Sequence, residues 1–330
     1  MDKKKQMVFN LNNFLLAFSG ALNTKKATFI ALNIAKELNF DEKKLADICS
    51  YNLAFPLGIK SLEKFDFLDL NHLKDDTFLQ ISEISQKLSK NFDFKNYSKN
   101  DIEKFKEFIE NENFNIDIKT ALKRVLENKI FFFDILYDEQ IVLFIYSNLQ
   151  DFTKVLDFED ILKMTNEFNL YIDKESKIIE RAEIIAEFFE FEHKDKEIFK
   201  IASTLANIGK LYTKNLALND EAKELSMNYA YFTKMILNQI MGFNDISSLA
   251  SKVQERLDGS GVFALSSKDL SFKDRLLSSI NLYGYFKEAK PYKKAYSHKD
   301  TIEALTKMAK DGKIDESLVE ILDKVFEEEQ

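Results

Sequence analysis

Proline and glycine are scarce in this sequence, 2 and 8 among 330 residues. A protein built of many short strands needs a turn every eight to twelve residues or so, and these residues make turns with least strain. Their shortage excludes a strand-rich sandwich or barrel and leaves the long intervals between them to helices. Cysteine occurs once, at Cys49, so no internal disulfide can form and no CxxC pair exists to hold a metal. Cys49 reads as a small buried hydrophobe, and a reducing cytoplasm is the expected location. Histidine is nearly as rare: His72, His193 and His298 are too few for a nucleophilic triad to be a natural reading. No HExxH occurs, and no glycine cluster is denser than "DGSG".

Long apolar runs are also missing. Nothing approaches the roughly 20 residues that span a bilayer. The opening "MDKKKQMVFNLNNFLLAFSGALN" follows its lysines with an apolar stretch broken by asparagines, which fits a core helix better than a signal peptide. There is no basic block, and the net charge of −8 would repel phosphate backbones and anionic lipid. Nucleic acid and membrane insertion are therefore not expected among the partners.

What is present describes a folded, soluble chain. Apolar residues make up 45% and charged residues 31%, which argues against extended disorder, and the length suits two globular units or one large helical one. The 31 phenylalanines read as ordinary core filling. Ala27, Ile30, Ala31, Ile34, Ala35 and Leu38 recur at three- and four-residue spacing and line one face of a helix, as do Ile178, Ala182, Ile185, Ala186 and Phe189. "DIEKFKEFIENENFNIDIKTALKRVLEN" and "DESLVEILDKVFEEE" also read as amphipathic helices, each starting near an Asp that could cap it. The expected fold is all-α, with loops near 56–62, 111–117, 213–220, 257–271 and 289–299.

An internal repeat divides the chain. "NIAKELNFDEKKLADICSYNLAFPLG" (33–58) aligns without a gap on "IIAEFFEFEHKDKEIFKIASTLANIG" (184–209), pairing Ile34 with Ile185, Phe40 with Phe191 and Gly58 with Gly209. Two related helical halves, 1–150 and 151–330, packed as an intramolecular pseudo-dimer, are the expected organisation.

Three stretches of the second half carry a resemblance. "IASTLANIGKL", then "KVQERLDGSGVF", then "KPYKKA" about 30 residues later follow one another in the order of the HD-GYP branch of the HD phosphohydrolase superfamily. Roughly residues 160–325 are similar to that branch, and residues 1–60 resemble the start of the same domain, so that both halves read as degenerate HD-like domains. The resemblance implies an all-α fold and hydrolysis of cyclic di-GMP at two or three metal ions. Such chemistry needs imidazoles and carboxylates around a bridging water.

The residues aligned with those ligands are different here. Lys174 or Glu175 stands for the first histidine, and Ala206 and Asn207 stand for the His-Asp pair. Tyr229 (or Asn228) replaces the next histidine, Val253 and Gln254 the His-His pair, and Asn281 a later aspartate. In the first half Phe55 and Pro56 occupy the His-Asp positions. Gly209, Lys210, Glu255, Asp258, Gly259, Ser260, Gly261, Pro291 and Tyr292 remain; the glycines have turn-making reasons to persist. Lys210 reads either as a phosphate-binding lysine, as the resemblance implies, or as a charge complementing a helix end. Glu255, Asp258, Asn207 and Asn281 could gather oxygen ligands for Mg²⁺ or Ca²⁺, and Val262, Phe263 and Ala264 replace the Gly-Tyr-Pro signature.

The leading expectation is a chain that is not an enzyme and needs no cofactor. It would be a scaffold or regulator bound to a protein partner, linked by the resemblance alone to cyclic-di-GMP signalling or motility. The alternatives are a non-hydrolysing sensor of a cyclic dinucleotide, with Lys210, Lys290 and Lys293 near its phosphates, and a weak metal-dependent phosphodiesterase around Glu255 and Asp258.

Overall fold

The computed structural model describes residues 6–65, 68–69, 71–95, 99–149, 153–214, 227–289 and 293–327. The chain forms two compact units: Asn10–Thr153 is one, and Met1–Phe9 joins Lys154–Gln330 in the other.

The first unit runs α1 (Leu11–Leu22), α2 (Lys25–Glu37), α3 (Glu42–Leu53), α4 (Ile59–Leu62), α5 (Asp76–Asn91), α6 (Lys99–Asn111), α7 (Ile116–Glu127), α8 (Lys129–Asp134) and α9 (Asp138–Tyr146). Its centre is α2, which touches α3, α5, α7 and α9. The periodic positions Ala27, Ile30, Ala31, Ile34 and Ala35 are fully buried on it, so the stripe that predicts a helix is also what holds the bundle together. The apolar opening is a core helix from Leu11 onward, with Asn10 capping it through the Asn13 amide at 2.9 Å. Phenylalanines fill the rest: Phe94, Phe105, Phe131 and Phe132 are buried and in mutual ring contact. His72 bonds the buried Asp47 at 2.6 Å and so fastens the 3-10 turn His72–Lys74 to α3.

The other unit contains a two-stranded sheet, β1 (Gln6–Asn10) with β2 (Thr153–Asp157), which an all-helical expectation misses. Its helices are α10 (Phe158–Ile172), α11 (Ile178–Phe188), α12 (His193–Leu205), α13 (Lys210–Lys214), α14 (Tyr229–Leu237), α15 (Asn244–Ala250), α16 (Phe272–Lys287), α17 (His298–Lys310) and α18 (Glu316–Val325). Here α12 is central, in contact with α10, α11, α15 and α16. Small and apolar side chains at Ile201, Ala202 and Leu205 are fully buried and admit these neighbours. Helix α16 starts on a capping box between Ser271 and Asp274. It is tied to α11 by the Arg181–Glu288 pair at 2.7 Å, with Arg181 buried. Tyr283, His298 and Asp323 then form a chain of two 2.9 Å bonds that pins α17 and α18 against α16.

The fold is all-α apart from the small sheet, and several local expectations change. Residues 55–57 form a 3-10 turn and 59–62 a short helix where a loop is expected. Asp315 does stand at the start of α18, but its carboxylate bonds Arg275 at 3.3 Å and makes no cap bond; α7 is capped by Asn115 instead. Within the two aligned stretches, α2–α3 and α11–α12 turn at aligned residues, Asn39 (φ 56°) and Glu190 (φ 48°). Each turn closes through an equivalent bond, Phe40 N–H to Ala35 O at 3.0 Å and Phe191 N–H to Ala186 O at 2.9 Å.

Candidate functional site

The turn Ala206–Gly209, which carries the residues aligned with the HD pair, leaves the end of α12 and docks on α14. The Gly209 N–H donates to Thr233 Oγ1 at 3.1 Å, and that hydroxyl donates to the Ala206 carbonyl at 3.3 Å. A Cβ on Gly209 would lie 2.0 Å from the Tyr229 carbonyl oxygen. Glycine is required there by close backbone approach, not by a left-handed conformation, since Gly209 is not among the positive-φ residues. Gly259, at φ 77°, is the position where the turn argument does hold.

Three polar side chains meet beside this turn. Asn207 Nδ2 donates to Asn281 Oδ1 at 2.8 Å, and Asn281 Nδ2 donates to the Tyr229 hydroxyl at 3.3 Å. The Asn207 Oδ1 atom is buried and has no hydrogen-bond partner. Lys210 places its ammonium 4.7 Å from the centroid of the Tyr229 ring. Asn207, Lys210, Tyr229 and Asn281 are thus brought together from the turn after α12 and from α13, α14 and α16, while Ala206 is buried as a packing residue. Asn228, the alternative to Tyr229, is exposed at the start of α14.

The remaining residues are placed elsewhere. Val253 is core. Gln254 Oε1 accepts from the Ala230 amide at 2.8 Å and its Nε2 donates to Met227 O at 2.6 Å, so it closes the start of α14. Glu255 is buried, and its two oxygens accept from the Phe263 and Leu265 amides at 2.9 and 2.8 Å. Both of its oxygens are committed to folding the 259–265 loop. Asp258 is exposed and accepts from the Ser260 amide and hydroxyl at 3.0 and 2.6 Å, bonds that hold its carboxyl below the usual range. Glu255 and Asp258 each hold their own loop, whereas Asn207 and Asn281 bond each other. Lys174 and Glu175 are exposed in the turn before α11. Lys293 donates to Phe286 O at 2.7 Å and sits over Tyr285 and Tyr296. Lys290, Pro291 and Tyr292 lie outside the described residues. Val262 and Phe263 are half-buried, with Lys234 over the Phe263 ring.

Arg256 is a site residue that the ligand alignment misses. Its Nη1 bonds Val253 O, Glu255 O and Ser278 Oγ at 3.2, 2.6 and 3.0 Å. Ser278 stands one helical turn before Asn281 on α16. Burial pushes the guanidinium's pKa down, and the Tyr229 phenol beside it acts in the opposite direction. A signal was available: arginine is rare against lysine here, at Arg124, Arg181, Arg256 and Arg275 only, and one of the four lies inside "ERLDGSG".

The donor set can be tested against the metal cluster that the resemblance implies. The orphaned Asn207 oxygen is a neutral amide, Asn281 Oδ1 already accepts from Asn207, Lys210 lies over the Tyr229 ring, and Arg256 bonds Ser278 one turn before Asn281. No group of three His, Cys, Asp or Glu able to hold a metal exists among the described residues. A di-metal cluster of the usual kind, bridged by a carboxylate, does not fit these residues.

No curated protein matches the sequence. The fold is similar to the crystal structure of a cyclic GMP-AMP specific phosphodiesterase of V. cholerae, with a TM-score of 0.53 and 13% identity over 97% of this chain and 98% of that one. No helix among the described residues is long and apolar enough to cross a membrane. Residues 158–318 match the family model described as HD domain. That match overturns the expectation of a chain that is not an enzyme. Counting altered ligands tests one arrangement of metals; it does not test activity. The matched stretch, residues 158–318, runs from the first residue of α10 to the first turn of α18, and over it the chain is similar to an HD domain.

Proposed function

We propose that the HD domain is a phosphohydrolase unit acting on the phosphodiester of a nucleotide, with cyclic dinucleotides as the substrate class. The observation that carries this reading is the cluster at the HD position: Asn207, Asn281 and Tyr229 in one hydrogen-bonded chain, with Lys210 over the Tyr229 ring and Arg256 bonded to Ser278 one turn before Asn281. Amides and a phenol donate hydrogen bonds to phosphoryl oxygens, and two cations oppose the charge that a reacting phosphodiester spreads over them. The fold likeness to a cyclic GMP-AMP phosphodiesterase supports the choice of class. The experiment is direct: incubate the full chain with cyclic GMP-AMP, cyclic di-GMP and a linear dinucleotide, with and without Mn²⁺, and follow linearised product by chromatography. Absence of product from every cyclic dinucleotide in both conditions, together with absence of binding, would defeat the reading.

The HD-GYP assignment and the tandem organisation belong to the same proposal. "ERLDGSG" and its placement after "NIGK" support the first. The aligned turns at Asn39 and Glu190 support a second HD-like half in residues 10–153.

A protein partner is a further reading with its own observation. Ile130, Phe133, Tyr137, Leu143 and Tyr146 stand exposed on α8, α9 and their connection, beside the carboxylates of Asp134 and Glu139. An apolar face with acidic residues suits a basic amphipathic helix. Fluorescence anisotropy with a Leu/Lys helical peptide tests it: Phe133→Glu with Leu143→Glu should abolish binding, and unchanged affinity would remove the face from consideration.

A further inference from the structure

The misfit between this donor set and a metal cluster has a chemical consequence at the HD position. A phosphodiester brought there needs positive charge around it, whether from ions or from the protein. The protein supplies two cations near the Asn207–Asn281–Tyr229 chain: the Lys210 ammonium over the Tyr229 ring, and the Arg256 guanidinium bonded to Ser278 one helical turn before Asn281. Arg256 is anchored through Nη1 alone; its Nε and Nη2 make no hydrogen bond among the described residues. A half-buried guanidinium with unused donors is a preorganised partner for a phosphate, since its fork matches two phosphoryl oxygens and its desolvation is already in place.

The amide chain agrees with this. Nitrogen and oxygen of an amide are set by the hydrogen-bond network, not by heavy-atom positions. The chain Asn207–Asn281–Tyr229 can run in the opposite sense at the same distances, with the Tyr229 hydroxyl donating to Asn281 and Asn281 donating to Asn207. The buried orphan at Asn207 is then an N–H donor in place of an oxygen. A bound anion favours that sense and relieves the orphan; a bound cation favours the other and is opposed by Lys210 and Arg256.

Resting on the nucleotide reading above, we infer that this site binds the phosphodiester through Arg256, Lys210 and the Asn207 amide, with side-chain charge in the place of divalent ions. Isothermal titration of the full chain with cyclic GMP-AMP in EDTA and, separately, in Mn²⁺ tests it, with inorganic pyrophosphate as a second probe. Affinities in the two buffers should agree within about twofold. Lys210→Ala should weaken binding about tenfold in EDTA and Arg256→Gln about tenfold or more, as expected for loss of a charge-assisted hydrogen bond. Because Arg256 also holds two carbonyls, the wild-type comparison in EDTA, which needs no variant, decides whether divalent ions are required, and Lys210→Ala decides whether side-chain charge replaces them. Binding that vanishes in EDTA and returns with Mn²⁺ overturns the inference while leaving the nucleotide reading intact. Pyrophosphate binding in EDTA that depends on Arg256, without binding of any cyclic dinucleotide, supports the inference and defeats the nucleotide reading. Failure of both probes to bind in EDTA overturns the inference.

Discussion

Gly209→Ala is the substitution most informative about how the site is built. The added Cβ would sit 2.0 Å from the Tyr229 carbonyl oxygen, 2.6 Å from the Thr233 nitrogen and 2.9 Å from its hydroxyl. Two of these three atoms are backbone, so no rotamer change removes the clash. Ordinary carbon–oxygen contact is over 1 Å longer, and α14 must move by about that much. Overpacking of this kind costs about 1–3 kcal/mol. The shift also lengthens the Gly209–Thr233 and Thr233–Ala206 bonds, worth about 1 kcal/mol each, giving a total near 3–5 kcal/mol. Gly312→Ala is the control: nothing lies within 4 Å of its Cβ, and its φ of 74° is its only obstacle, a cost of about 1 kcal/mol. Urea unfolding followed by circular dichroism compares the two. Because Tyr229 rides on α14, Gly209→Ala should also disturb the Asn281–Tyr229 contact and weaken nucleotide binding. A Gly209→Ala variant no less stable than Gly312→Ala would refute the close-approach argument.

Glu255→Gln replaces one of two accepting oxygens by a donor facing an N–H of Phe263 or Leu265; it should cost about 1–3 kcal/mol and speed hydrogen exchange at those two amides, which NMR reads directly. Arg181→Leu removes the cation that faces the Glu288 carboxylate in a site where the pair is nearly fully buried. It should cost about 3–5 kcal/mol, read as a lowered urea midpoint, with Glu288→Gln added to recover part of the loss. Asp69 has its pKa lowered to about 2, chiefly by its hydrogen bond from Lys43. A lowered carboxylate contributes stability that is present above its ordinary value of 3.8 and is lost as pH falls toward about 2. Carboxyl NMR titration should place its midpoint there, and Lys43→Ala should raise it. Asp47 is displaced the other way, its pKa raised by burial although the hydrogen bond from His72 opposes this. Its ionisation therefore weighs against the fold as pH rises through its folded pKa, and His72→Ala should move that midpoint higher still.

The helices were legible because their signal is periodic and local: the stripe on α2 and the stripe on α11 are the buried faces of their bundles. The sheet was not, since Gln6–Asn10 and Thr153–Asp157 pair across more than a hundred residues and neither alternates clearly in burial. At the site the difference lies in what a side chain is already doing. Glu255 looks like a free carboxylate in sequence, yet it is a loop anchor, because two amides ten residues or fewer away claim both oxygens. Arg256 looks like a surface charge next to a motif, yet it is half-buried and anchored through one nitrogen to Val253, Glu255 and Ser278.

Gly209 fails as a sequence inference for a related reason. Glycine at a helix end suggests a left-handed turn, but the constraint comes from α14, some twenty residues further along, whose backbone passes where a Cβ would be. An alignment can name the position and cannot name the cause. The same limit explains why altered ligands suggested the wrong conclusion about activity. An aligned histidine is evidence for one metal arrangement. Its replacement by Asn207 or Tyr229 does not say which charges stand at that position; in this chain they are Lys210, over the Tyr229 ring, and Arg256, bonded to Ser278 one turn before Asn281.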